Sequence, residues 1–145
     1  MRVFILSLCI ITCFFGCKQP EKEIVTAKEE LVYDMYQPSE MANLMNEMYA
    51  QNLKVKEDIL NGIVPEEFPL DFLKIHSAEL SEFKSRNETF QSFSKLFIES
   101  EKEIFNTESQ VPIEERYNNT INLCISCHQT ECTGPISRIQ KLLIK

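Results

Sequence analysis

The chain has 145 residues with 15 Lys plus Arg against 22 Asp plus Glu, and its net charge of −7 argues against nucleic-acid binding. Apolar residues make up 43% and charged ones 26%, enough for one packed domain and unlike a disordered chain. Three glycines, far below the usual ~7%, leave little material for phosphate-cradling loops or tight hairpins and point to helices.

In chain order, Met1-Arg2 is a short basic start, residues 3–15 are almost wholly apolar, and Gly16-Cys17 closes the run before the polar Lys18-Gln19-Pro20-Glu21. A run of about 13 apolar residues is shorter than the ~20 of a membrane-spanning helix and has the form of an export signal. Phe14-Phe15-Gly16-Cys17 resembles the bacterial lipobox, in which a small residue precedes the cysteine that receives diacylglycerol. That resemblance implies a signal peptide over residues 1–16, a lipidated Cys17 and a domain held at a membrane of the bacterial cell envelope, on its periplasmic side. An ordinary secretory signal with a free Cys17 thiol is the alternative, and both readings place the protein outside the cytoplasm. Residues 17–37 are charged, lack a sustained apolar stripe and read as a linker. The acidic body would not adhere to an anionic bilayer, so the lipid would do the tethering.

Four helical segments follow within residues 38–145. Over residues 39–61, Met41, Leu44, Met45, Met48, Val55, Ile59 and Leu60 recur at the spacing of an amphipathic helix, and Gly62 stops it. Pro65 and Pro69 break the chain, and Phe72, Ile75, Leu80 and Phe83 predict a shorter helix over residues 71–83. Beyond Arg86 the stripe returns as Phe90, Phe93, Phe97, Ile98, Ile104 and Phe105. Pro112 suits a helix start, Glu114 and Glu115 suit its positive end, and Tyr117, Ile121, Cys124 and His128 continue one face until Gly134-Pro135. Ile136, Ile139, Leu142 and Leu143 predict a last amphipathic turn or two. The pattern predicts an all-α, antiparallel four-helix bundle.

The chemistry lies in Cys124-Ile125-Ser126-Cys127-His128, the C-x-x-C-H pattern of covalent haem c attachment. Positions 124, 127 and 128 share one helix face, so two thioether bonds and one iron–imidazole bond grip the same side of a flat macrocycle. His128 is the expected proximal iron ligand. Haem of this kind is attached outside the cytoplasm, where an exported chain is delivered. A disulfide, or a zinc site built from Cys124, Cys127, His128 and Cys132 in a structural lipoprotein, is the alternative, although four ligands within nine residues are unusual.

A late C-x-x-C-H on the last helix of a four-helix bundle resembles the class II c-type cytochromes, the cytochrome c′ group; class I members carry it near the start. The resemblance spans residues 39–144, with specificity only in the haem motif. It implies one covalent haem inside the bundle against the first helix. That helix either gives iron a methionine, as in an electron carrier, or leaves the sixth position open, as in a gas binder. Met45 falls closest to the family's sixth-ligand position, with Met41, Met48 and His76 as alternatives. A methionine stripe is equally the mark of a plain core. The chain departs from the family in running on from His128 to Lys145, in Cys132-Thr133-Gly134-Pro135, and in Met41, which stands where an arginine is common. Class II relatives are often dimers through their first two helices, so a homodimer is a further expectation.

Tyr117 and Phe97 are expected in the haem pocket or the core, and Ile121 in the haem pocket. Arg138 and Lys141 are candidates for the haem propionates or plain surface charges. Cys132 is the odd thiol, near the haem edge, paired with another chain, or inert. The preferred reading is a non-enzymatic, membrane-tethered carrier of one electron between periplasmic or membrane redox partners. The alternative from a different class is a nitric oxide or carbon monoxide binder with an open iron. A peroxidase would need distal acid–base groups, for which only His76 is available.

Overall fold

The computed structural model describes residues 37–145, which belong to one compact unit. The expected signal peptide, Cys17 and nearly all of the linker lie outside the described residues. Helix and loop make up the described chain, and no strand is found among the described residues. No helix among them is long and apolar enough to cross a membrane.

Helix α1, Glu40–Leu60, begins where Ser39 turns extended and its hydroxyl accepts the Ala42 N–H at 3.2 Å, with Glu40 at the positive end of the helix. It ends at Asn61, and Gly62 follows with φ 72°, a left-handed value that glycine takes without strain. Helix α2, Glu88–Ile104, is capped by Asn87, whose side chain accepts the Phe90 N–H at 2.7 Å. Helix α3, Ile113–Glu131, starts directly after Pro112, whose missing N–H costs nothing in a first turn. Arg116 of α3 donates to the Ile104 and Asn106 carbonyls at 3.2 and 2.8 Å, which satisfies the frayed end of α2 and fixes the α2–α3 corner.

The helix expected over residues 71–83 is shorter and of another kind. Leu70–His76 is a 3-10 helix, after which the chain runs without regular structure to Asn87. The reason is the spacing of its apolar residues. Phe72 and Ile75, three apart, are both buried, and three residues per turn keep them on one face; Ala78, also buried, follows just past the helix end. Phe83, expected on that face, is 93% exposed, and Leu80 is half-buried. The return loop is stapled to the start of α1: Met41 N–H donates to the Glu79 carbonyl at 2.9 Å, and Glu79 N–H to the Glu40 carboxylate at 2.8 Å. Arg86 closes the loop by donating to the Ala78 carbonyl while its guanidinium lies 5.8 Å over the Phe90 ring.

Contacts along α3 rise in number as those on α1 and α2 fall. Arg116 meets Ile104, and the Thr120 and Ser100 hydroxyls are 2.7 Å apart. The Tyr117 hydroxyl donates to the Asn52 carbonyl at 2.9 Å. Helix α3 therefore runs antiparallel to both. The short helix α4, Ile136–Ile139, and a 3-10 turn, Gln140–Leu142, fold back across α1 and α3, where Lys56 donates to the Lys141 and Leu143 carbonyls at 2.9 and 2.8 Å.

Two apolar clusters result. One gathers Met41, Leu44, Met48, Phe72, Phe90 and Phe97 with their neighbours; the other gathers Val55, Ile59, Ile104, Tyr117, Ile121 and Leu142. Cys124 packs against both. Between them lie the buried polar residues Asn52, Glu101 and Thr120, one from each long helix. Ile104 is fully buried at the α2–α3 corner, whereas Leu96 is 49% exposed. Ile104→Ala is expected to cost roughly 2–5 kcal/mol in urea unfolding, and Leu96→Ala less than about 1 kcal/mol. Equal costs would mean that this corner is not packed as described.

Candidate functional site

The final turn of α3 carries the C-x-x-C-H residues to a recess between α1, α2 and the return loop. Its larger part, about 380 Å³, falls within the range of small-molecule and cofactor sites. Met41, Met45 and Tyr49 of α1 form one side, Leu80, Phe83 and Lys84 of the return loop another, and His128, Pro135 and Arg138 a third. A smaller hollow of about 50 Å³ adjoins it, lined by Cys124, Cys127 and His128 opposite Met45, Met48 and the aromatic stripe Phe90, Phe93 and Phe97. The two share Met45, Phe90 and His128.

His128 is held by its own helix end. The chain leaves α3 at Cys132, which is extended at φ −160°, ψ 92°, so the Cys132 carbonyl turns back and lies 2.8 Å from His128 Nδ1. A carbonyl only accepts, so the bond places the ring proton on Nδ1 and leaves the Nε2 lone pair for a metal. Cys132 thus acts through its backbone, while its side chain is exposed. The same turn brings Pro135, Arg138 and Ile139 to the recess, which explains the extra residues beyond His128.

Both motif thiols keep their protons. Burial pushes the Cys124 thiol far up, helped by the nearby Glu101 carboxyl and Cys127, and burial with Glu131 pushes Cys127 up to about 11. A C-x-x-C pair built for disulfide exchange has the opposite property, a thiol lowered toward neutrality. Among the described residues no group of three or more His, Cys, Asp or Glu side chains is placed to hold a metal ion.

The structure separates the other candidates. Of the three methionines, Met45 alone shares both parts of the recess with His128; Met41 borders only the larger part and Met48 only the smaller. His76 is exposed, with Nδ1 3.4 Å from the Ser94 hydroxyl, and it faces a different hollow beside Arg86 and Lys95. Tyr117 and Ile121 are fully buried one or two turns short of the motif and border neither part, so they are core residues here. Phe97 serves core and hollow alike. Arg138 lies 3.8 Å over the Tyr49 ring and donates to Asn46 Oδ1 at 2.8 Å on the recess wall. Lys141 instead borders an open depression of about 630 Å³ near Lys56 and Leu60, which holds no thiol or imidazole.

Lys84, Leu80 and Phe90 are wall residues that carry no motif; Leu80 and Phe90 had a signal only as members of apolar stripes, and Lys84 had none. A scan of protein-family models and searches of curated proteins and solved structures found no match to this chain.

One buried acid lies beneath the recess. Glu101 is 1% exposed, and burial pushes its carboxyl up to about 8 against an ordinary 4.5, with the Asn52 side chain opposing the shift. The folded chain then holds a proton that the unfolded chain has lost, so stability falls as pH rises through this interval. The expected slope is ~1.4 kcal/mol per pH unit between about 4.5 and about 8, read by urea unfolding at several pH values. Glu101→Gln removes that component; an unchanged profile in the variant would assign the slope to other groups.

Proposed function

We propose that this chain is a mono-haem c-type cytochrome of the class II kind, tethered through a lipidated Cys17, that passes single electrons between partners outside the cytoplasm. The observation carrying this reading is the meeting of Cys124, Cys127 and His128 with Met45 across one apolar recess. The residues present fit a haem. The thiols line the smaller hollow, the imidazole borders both parts with its Nδ1 proton engaged and Nε2 free, and the larger part is of cofactor size. On this reading the 3-10 helix Leu70–His76 takes the place of the second helix of the four-helix bundle.

When bound, haem supplies an iron that changes oxidation state by one electron. The chain's residues do the rest. Cys124 and Cys127 would hold the macrocycle through thioethers, and His128, oriented by the Cys132 carbonyl, would ligate the metal. Met45 would offer the iron a thioether, and a methionine paired with histidine raises the reduction potential. The aromatic stripe of α2 keeps water out. Lys84 and Arg138 put two cations on the wall of the recess, suited to the carboxylates of a haem.

The test is the absorption spectrum, oxidised and reduced, of the domain matured in a host with haem-attachment machinery. Sharp reduced α and β bands indifferent to carbon monoxide are expected, with Met45→Ala opening the iron to carbon monoxide. Cys124→Ala with Cys127→Ala should abolish covalent haem in a denaturing gel stained for haem. Broad bands in the wild type that shift with carbon monoxide would favour the gas-binding reading, and a colourless protein would overturn haem altogether.

A further inference from the structure

Glu101 has a place in the core that packing alone does not explain. Two polar atoms are buried there without a partner, Glu101 Oε2 and Asn52 Oδ1. Both are acceptors, and Asn52 Nδ2 already donates to the Met48 carbonyl at 3.2 Å. Turning the amide over would set oxygen against that carbonyl, so it gives neither orphan oxygen a partner. A proton on Glu101 removes the charge from a buried carboxylate oxygen that has no donor of its own. The only ion pair among the described residues, Lys74–Asp71, is on the surface, so no cation there balances an ionised Glu101.

The position of this acid matters as much as its burial. Phe97 and Met48, one turn before Glu101 and Asn52, line the hollow, as does Cys124, one turn beyond Thr120. The polar layer is therefore the floor beneath the motif. The titratable groups facing Glu101 are Tyr117 and Cys124 of α3, both held neutral by burial, with Tyr49 of α1 beyond Tyr117.

Resting on the haem reading above, we propose that Glu101 is a redox-linked proton site. It releases its proton to bulk water when an electron leaves the iron for a one-electron acceptor, and regains one when an electron arrives from a one-electron donor. Oxidation adds one positive charge to the site and loss of the proton adds one negative charge to Glu101, so the net charge inside the bundle is conserved. At an effective dielectric of ~20, a unit charge on the order of 10 Å from any titrating group changes its proton affinity roughly tenfold.

The test is spectroelectrochemistry of the haem-loaded protein from about pH 5 to about pH 10, with Glu101→Gln as the uncharged, isosteric variant. In the wild type the midpoint potential should fall with rising pH over part of this range by a total of roughly 59 mV, the one-electron equivalent of a tenfold change. In Glu101→Gln that fall should vanish. Redox-difference infrared of the wild type gives a second readout that does not depend on a variant. A protonated-carboxyl C=O band should be lost on oxidation and return on reduction. A haem-bearing wild type with a flat potential and no carboxyl band overturns the proposal and leaves the haem reading intact, as does an undiminished fall in Glu101→Gln. A chain that acquires no haem overturns both.

Discussion

The arrangement depends on how α3 is anchored below its functional turn. Tyr117 and Ile121 are fully buried between α1, α2 and the C-terminal segment, and the Tyr117 hydroxyl locks onto the α1 backbone at Asn52. A helix held this way has no freedom to rotate or slide, because a shift of one residue turns its face by about 100° and would expose the tyrosine. The thiols and His128, two or three turns on, inherit that register. They meet the Met45 face of α1 because the lower half of α3 is already committed.

The two halves of the bundle differ in kind. The lower cluster is aliphatic, closed by Ile104, Ile139 and Leu142, and supplies the rigidity. The upper cluster adds methionine and phenylalanine to Leu44, Ile75, Ala78 and Ile98, with Phe68, Phe72 and Phe97 in edge-on or tilted contact at 6.1–6.2 Å. Thioether and aromatic side chains adapt to a flat ligand more readily than branched aliphatic ones. The polar layer of Asn52, Glu101 and Thr120 separates them. A buried carboxyl is costly to keep unless it stays neutral, so a plain core would not retain one.

The segments outside the long helices complete the recess. Staples to α1 hold the return loop over residues 77–87 against the start of that helix, and the exit from α3 orients His128 while sending α4 back across the mouth. Lys84 and Arg138 reach the recess from these two segments, which concentrates cations there in a chain that is acidic overall. The third wall is thus built from loop and turn.

Reading the residues in order was enough for the all-helical class, the three long helices and the motif, because these rest on local rules. Apolar spacing reports a helix face, proline and glycine report its ends, and C-x-x-C-H puts three reactive groups on one side of a turn. The second helix was misjudged because the spacing of three between Phe72 and Ile75 suits a 3-10 turn as well as an α-helix, and Leu80 and Phe83 lie beyond its end. Tyr117 and Ile121 lie on the motif's face, yet belong to the core, since helix periodicity is silent about depth along the axis. Met45, preferred among three methionines from the family resemblance alone, is the one that the crossing of α1 and α3 sets beside both parts of the recess. The neutral state of Glu101, the His128 tautomer and the cations at the mouth depend on groups far apart in the chain. Such contacts exist only once packing has excluded water and brought those groups together.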